Sequence, residues 1–250
     1  MVTERILITV RTYPNVSRRY TEIVCTGGIN SDGDWRRLFP VPLRYMDNDR
    51  QYRVWDVIDV SVPEVSSDGR PESRRPDTAT LKPCGHLDTH EARAQWVEST
   101  IADSLAQGRE AGRTIFPVRV SDVQDLVFED DSPEWDLWQK QKLNEEGLFA
   151  KNKPLDKLPF KARFLWRDTE GQEHKSSFIA WECGETWRQY RRQHTDPLVR
   201  LREAFLKRCE QSDRLAFFVG NYKQHPQHFS VCGVYAPPRG KVASEQSLFG

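Results

Sequence analysis

Three groups of side chains in this sequence have the residue types that a chemical site requires. In the first group, Asp168 is followed by Glu173 and Lys175, the composition of a nuclease centre in which carboxylates hold Mg²⁺ beside a lysine. The interval between Asp168 and Glu173 is too short for such a centre, and a turn with solvated charges explains these residues better. Catalytic residues stay unidentified, and whether the protein is an enzyme stays open.

The other two groups are built on cysteine. Cys84, His86 and His90 offer three soft ligands, but a structural zinc ion takes four and the sequence marks no fourth. Cys25 and Cys183 would act as nucleophiles only beside a base, and the sequence places no histidine to serve either thiol. We therefore predict no metal, no cofactor and mostly buried, structural cysteines.

Composition narrows the class of protein. The 250 residues are 37% hydrophobic, 11% aromatic and 30% charged, with a net charge of zero, as expected for a globular chain with a very polar surface. Five cysteines without a C-x-x-C pair favour reduced thiols and a cytoplasmic location. No run of about 18 apolar residues occurs, so we expect neither a membrane span nor a signal peptide.

The charges are unevenly distributed along the chain. Residues 1–76 hold twelve arginines and no lysine against eleven acids, whereas residues 120–156 hold ten acids and four lysines. The arginine guanidinium makes bidentate hydrogen bonds to phosphate or carboxylate and stacks on bases. This charge pattern therefore fits a polyanionic partner or an intramolecular ion-pair network equally well. The candidate nucleic-acid-binding residues are Arg11, Tyr13, Arg18, Arg19, Trp35, Arg36, Arg37 and Tyr45, with Lys161, Arg163 and Arg167 on a second, basic strand face.

The final six residues, 245–250, indicate a protein partner. These residues resemble the motif with which bacterial DNA-processing proteins bind the replication sliding clamp, a glutamine followed by an apolar residue, Ser or Asp, Leu and Phe; Ser247, Leu248 and Phe249 fit its last three positions. Gln246, Leu248 and Phe249 are the candidate partner-binding residues, because Leu and Phe bury in an apolar groove. The motif's glutamine position holds Glu245 here, so the match is partial. A disordered terminus is the alternative.

Short strand-like runs dominate the first 65 residues, and Gly-, Asn- and Pro-rich turns separate them. Strand-like runs lie at 6–10, 22–25, 35–39 and 54–62. Their spacing favours a small barrel over a parallel sheet. The segment 65–83 is interpreted either as a linker or as an arginine-lined binding loop.

A resemblance accompanies this pattern. Residues 22–29 and 35–42 resemble the strand-turn-strand core of bacterial OB-like domains found beside nucleic-acid machinery. Residues 217–221 and 229–235 resemble the C-terminal part of an uncharacterised bacterial family of about this length. The resemblance implies a mobile-element or defence context and carries no established activity.

Helical signals follow the barrel region. Asp88 and Glu91 form a capping-box-like start to a helix that continues to Leu105, with Gly108 as its C-terminal cap. Ser132 predicts the start of another helix. Alternating apolar residues predict a hairpin of two strands, 160–167 and 174–181. Two helices are predicted to follow the hairpin, one containing Trp187 and one starting at Pro197. Strands 215–219 and 229–235 end the region.

These signals predict an α+β protein: a small OB-like or PUA-like β-barrel (1–83), a helical and acidic connecting region (84–158), an α+β region (159–239) and a flexible tail (240–250). We expect a nucleic-acid-binding protein of bacterial DNA processing or defence, with DNA as the partner and no membrane contact. The alternatives are a nucleic-acid-processing enzyme, either a nuclease or a base-modifying activity, and an adaptor that binds proteins alone.

Overall fold

The computed structural model describes residues 1–16, 18, 22–147 (backbone only at 145–147) and 156–242. Within these residues the architecture is α+β, with two curled half-barrel sheets and few helices. No helix in the described part of the chain combines the length and apolar character needed to cross a membrane.

The first sheet is built by the N-terminal third of the chain. Its strands are β1 (Val2–Arg11), β2 (Asn15–Val16), β3 (Glu22–Asn30), β4 (Trp35–Val41), β5 (Asp56–Val62), β6 (Ser73–Arg74) and β7 (Asp77–His86). The strand order is β6-β4-β3-β1-β5-β7, with β2 paired to β3. The central strand β1 is buried from Ile6 to Val10. Ile6 and Ile8 belong to the core of this sheet, and Val10 belongs to a core that also contains residues of the second sheet.

The second sheet is organised by one 16-residue strand, β8 (Ile115–Asp130). Its first five residues pair with β11 (Ala216–Tyr222), and its remainder pairs with β9 (Phe160–Asp168), with irregular register at two places. Strands β10 (Glu173–Ser177) and β12 (His225–Tyr235) complete the order β10-β9-β8-β11-β12. A strand that changes partner in this way bends the sheet and opens its concave side.

Five α-helices and two short 3-10 helices lie in the described residues. The α-helices are α1 (His90–Val97), α2 (Leu105–Glu110), α3 (Leu137–Gly147), α4 (Trp181–Tyr190) and α5 (Pro197–Glu210). Helix α5 buries Leu201, Phe205 and Cys209, spaced by four residues, in the core beside Phe164 and Phe178. This face is the one that the sequence periodicity predicts.

A shared apolar core joins the two sheets. It contains Val10, Ile29 and Trp35 from the first sheet and Ile115, Phe218 and Tyr235 from the second. Backbone bonds extend the junction, since Tyr13 N–H donates to the Ile179 carbonyl at 2.8 Å. The two sheets therefore pack directly against each other along this junction, which we call the seam.

The structure corrects several sequence predictions in the middle of the chain. The helix expected from Asp88 to Leu105 is broken into α1 and α2; Thr89, rather than Asp88, caps α1, and Gly108 lies inside α2. Helix α3 begins at Leu137 rather than at Ser132. Residues 115–130, predicted to lie in a helical and acidic connecting region, form β8 instead, because backbone pairing to β9 and β11 overrides the local charge pattern.

Candidate functional site

A cavity of about 750 Å³ opens where the two sheets meet. The first sheet contributes the segment after β1, parts of β3 and β4, and the loop around Arg70. The second contributes the start of β9, the segment before α4 and the tip of the β11–β12 hairpin. This volume falls within the range of about 300–1,000 Å³ that ligand sites occupy.

Cations outnumber acids around the cavity. Its lining contains six cations, Arg37, Arg70, Arg75, Lys157, Lys161 and Lys223, and two acids, Asp68 and Asp131. Arg70 pairs with Asp68, and Lys157 pairs with Asp131 at 3.2 Å. Arg75, Lys161 and Lys223 make no ion pair with any described residue. The opening is therefore electropositive and attracts anionic groups.

A buried hydrogen-bond network holds Arg37 at the seam. The Arg37 side chain is donor to the Thr114 carbonyl at 2.6 Å and to the Thr114 hydroxyl at 3.2 Å. The Thr114 backbone N–H and hydroxyl in turn donate to the carboxylate of Glu72, at 2.7 and 2.8 Å. The orientation of Arg37 is thus set by the second sheet as well as by its own strand.

A second set of hydrogen bonds joins the two sheets at Asn221, in the cavity wall. Arg70 donates from its guanidinium to the Asn221 carbonyl at 2.9 Å, and the Asn221 side-chain amide donates to the Pro226 carbonyl at 3.0 Å. Asn221 Oδ1 and Arg37 Nε are both buried without a hydrogen-bond partner among the described residues. Such groups are rare in folded proteins, so each one calls for a partner.

Aromatic rings line the cavity beside these polar groups: Tyr13, Phe39, Trp135, Phe160, Phe178 and Tyr222. Tyr222 is 51% exposed, yet burial raises the pKa of its hydroxyl to about 12. The two observations are compatible because Tyr222 lies in a concave wall. Protein atoms surround the residue and raise the pKa, while part of its ring stays exposed to the open cavity. A planar ring in that position is a platform for stacking.

Three thiols also lie in the wall. Cys183 and Cys232 are buried, and burial raises the pKa of each, that of Cys232 to about 12. Cys25 is half-buried, and its sulfur lies 3.8 Å from the Arg37 guanidinium. A thiol held protonated is a poor nucleophile, so Cys183 and Cys232 act as apolar wall residues.

Three of the predicted nucleic-acid-binding residues meet at this cavity: Tyr13, Arg37 and Lys161. The Tyr13 hydroxyl accepts from Arg188 at 3.1 Å and donates to the Asp156 carbonyl at 3.0 Å, so its ring is fixed in the wall. These three residues are far apart in sequence, and the junction of the sheets brings them together.

The other predicted residues of the first sheet are held elsewhere. Trp35 is buried in the shared core, and Arg11 lies over the Trp181 ring with its guanidinium donating to the Tyr52 carbonyl at 2.6 Å. Arg36 pairs with Glu4 at 2.6 Å and with Asp34 at 3.3 Å. Tyr45 is half-buried on a short 3-10 helix, Arg18 lies over the Trp138 ring, and Arg19 falls outside the described residues.

The basic face of β9 is paired with acids. Its alternation is as predicted, with Phe164 and Trp166 buried and the three basic residues on the other side. Arg163 pairs with Glu129 of β8 at 3.0 Å, and Arg167 pairs with Glu173 of β10. Lys161 is exposed, and it is the one residue of the three without an ion pair among the described residues.

The candidate chemical groups do not converge into a site. Asp168 is 1% exposed and accepts from the Gln172 and Leu105 backbone N–H groups while it contacts His174 at 2.8 Å. Glu173 and Lys175 instead pair with Arg167 and Glu129. Among the described residues, no three His, Cys, Asp or Glu side chains are grouped as metal ligands would be.

Sequence reasoning missed several wall residues, among them Phe39, Trp135, Lys157, Asn221, Tyr222 and Lys223. Lys223 and Gln224 form the two-residue tip of the β11–β12 hairpin, and exposed polar residues between two apolar strands were an available signal. The loop around Arg70, one of two interpretations of the segment 65–83, does line the cavity.

Two family models match the chain. One, described as domain of unknown function DUF8758, matches residues 2–99, and the other, described as domain of unknown function DUF8757, matches residues 97–250. The models meet at the end of α1, between the two sheets. A comparison with curated proteins found no match.

Proposed function

The chain belongs to the family described as domain of unknown function DUF8757, and we propose that it is a cytoplasmic nucleic-acid-binding protein acting on DNA in bacterial DNA processing or defence. The observation that carries the proposal is the electropositive cavity, where Arg75, Lys161 and Lys223 lack ion pairs within the described chain and aromatic rings stand beside them. Cations contact phosphates and aromatic rings stack on bases, which is the combination that single-strand-binding sites use.

The fold supports the same proposal. We propose that the first sheet is an OB-like half-barrel, because its strands β4, β3, β1 and β5 form a curled antiparallel arrangement. OB folds bind oligonucleotides on one face of such a sheet and on the loops beside it. Five free cysteines support the cytoplasmic assignment, since reduced thiols persist in a reducing compartment.

The test is a salt titration of DNA binding. In the rim variant, Arg75, Lys161 and Lys223 are all changed to Ala; in the control variant, the exposed cations Lys82, Arg192 and Lys207 are changed instead, so that both variants lose three charges. Each lost phosphate contact lowers the slope of log K against log salt by about 0.7–0.9. We expect the rim variant to lose affinity and about two units of slope, and the control variant to keep both. Equal slopes for the two variants would reject the cavity rim as the binding surface.

The alternative functions are separated in the same assay. Binding measured with and without Mg²⁺, while the DNA is inspected for cleavage, distinguishes a processing enzyme from a binding protein. An adaptor would bind no DNA under either condition.

The tail is a further part of this proposal. Residues 243–250 lie outside the described residues, so the support is the sequence alone. We propose that Gln246, Leu248 and Phe249 bind a sliding clamp. A peptide of residues 241–250 should bind a bacterial clamp with a Kd of about 1 μM, a Glu245→Gln peptide more tightly, and a peptide with Leu248 and Phe249 changed to Ala not measurably. Equal binding by all three peptides would refute the motif.

A further inference from the structure

The inner walls of the cavity differ in chemistry from its rim. The rim holds exposed Arg75, Lys161 and Lys223, whereas the interior is formed by Ile23, Ala180 and the buried thiols of Cys183 and Cys232. Arg37 is the only charged residue among the buried described residues of this wall, and its guanidinium already donates to Thr114. A phosphate in the interior would therefore lose its hydration for few new contacts, because moving an ion into an apolar environment is costly. The interior therefore suits an apolar, flat group and the rim suits the anionic group attached to it.

Two oriented polar groups stand in this otherwise apolar wall. Arg37 is fixed by Thr114 and Asn221 by Pro226, and each retains one buried polar atom without a partner in the described structure, a donor on Arg37 and an acceptor on Asn221. Both atoms are buried, so neither is exposed to the open cavity. The surfaces that an entering group would contact are the aromatic rings and the apolar interior.

The size of the cavity selects the form of the DNA. A space of about 750 Å³ bounded by both sheets admits one or two nucleotides, but it does not admit a duplex. A base enters such a site only when it is unpaired and unstacked. Tyr222, half exposed at the hairpin tip beside Lys223, is the ring on which an entering base can stack.

Resting on the proposed function, we infer that the cavity takes one unpaired base of a bound DNA strand, stacked on Tyr222, while its flanking phosphates contact Lys161, Lys223 and Arg75. The protein then prefers single-stranded DNA and duplexes with an extruded base over fully paired duplexes. The preference for an unpaired base arises from the Tyr222 ring and the apolar interior of the cavity. The salt dependence of binding arises from the cations of the rim.

The experiment measures binding of the full chain to three DNAs of equal phosphate number: a paired duplex, a duplex with one bulged base, and a single strand folded into no hairpin. For the wild type we expect about 10-fold tighter binding to the bulged duplex than to the paired one, in line with the stacking of a single base. Tyr222→Leu should reduce this ratio to near one, and Tyr222→Phe should keep it. Tyr190→Leu, which alters a partly buried tyrosine outside the cavity, should also keep this ratio.

The outcomes separate this inference from the proposed function. A wild type that binds all three DNAs equally, with a slope that depends on the rim cations, overturns base insertion and leaves DNA binding standing. Absence of binding to any of the three overturns both. Because Tyr222 is half exposed, its substitution should leave the thermal unfolding midpoint close to that of the wild type, and the ratio then reports the cavity alone.

Discussion

The Thr114 hydroxyl bridges Arg37 and Glu72: it accepts from the guanidinium at 3.2 Å and donates to the carboxylate at 2.8 Å, while the Thr114 carbonyl accepts from the same guanidinium at 2.6 Å. Residue 114 stands immediately before β8, whereas Arg37 belongs to β4, so the bridge links the two sheets. One small side chain thus connects two buried charged groups, and several consequences of this geometry are measurable.

The first prediction concerns that bridge. Thr114→Val keeps the shape of the side chain and removes the hydroxyl, so the Glu72 carboxylate loses a donor in a buried site. We expect the free energy of unfolding to fall by about 1–3 kcal/mol in urea denaturation. The control variant, Thr3→Val, removes an exposed hydroxyl and should change the free energy of unfolding by less than about 0.5 kcal/mol. Equal effects in the two variants would show that the Thr114 hydroxyl contributes nothing to stability.

Helix α2 provides a second prediction. A Cβ on Gly108 would lie 2.0 Å from the ring of Phe116, so the glycine allows the helix to approach β8. Gly108→Ala should lower the free energy of unfolding by about 1–3 kcal/mol, although Ala favours helix formation. Gly85→Ala, where a Cβ meets no atom within 4 Å, is the matched control. A stabilised Gly108→Ala variant would contradict this packing.

Helix α4 controls a cavity wall through Gly184. A Cβ on Gly184 would lie 2.1 Å from the ring of Tyr13, which lines the cavity. Gly184→Ala must displace that ring, and we expect weaker binding of single-stranded DNA in a fluorescence-anisotropy titration. Gln189→Ala, at an exposed position of the same helix, should bind as the wild type does. Unchanged binding by Gly184→Ala would separate Tyr13 from the site.

The Asp68–Arg70 pair predicts a pH dependence. Burial opposes ionisation of Asp68, but hydrogen bonds from the Arg70 side chain and backbone lower its pKa to about 2. A lowered pKa stabilises the fold above the unfolded-state value of about 3.9, and this contribution disappears as the pH falls towards 2. Asp68→Asn should therefore be less stable than the wild type by about 1–2 kcal/mol at pH 6.

The same denaturation series at pH 2.5 completes the test. The difference between the wild type and Asp68→Asn should shrink there, because the wild-type carboxylate is becoming protonated as well. Asp49→Asn, at an exposed position, should follow the wild type at both pH values. A difference that is independent of pH would assign the effect to packing instead of charge.

Local sequence determined many of the elements. Alternation of apolar and polar residues identified β9, since one face of that strand is buried and the other is not. The spacing of Leu201, Phe205 and Cys209 identified α5 for the corresponding reason. Local sequence did not identify β8, because its acidic second half is stabilised by pairing with β9. The paired residues lie 30 to 48 positions apart in the chain.

The site was decided by tertiary structure. Composition showed that the first 76 residues are rich in arginine, but only the fold distinguishes Arg36, paired with Glu4, from Arg75, which has no ion pair among the described residues. The cavity depends on contacts such as that between Arg70 and Asn221, separated by 151 positions. The type of a residue determines which groups its side chain is able to bind. Long-range packing determines which of those groups lie within bonding distance. No local stretch of the sequence contains the information about long-range packing.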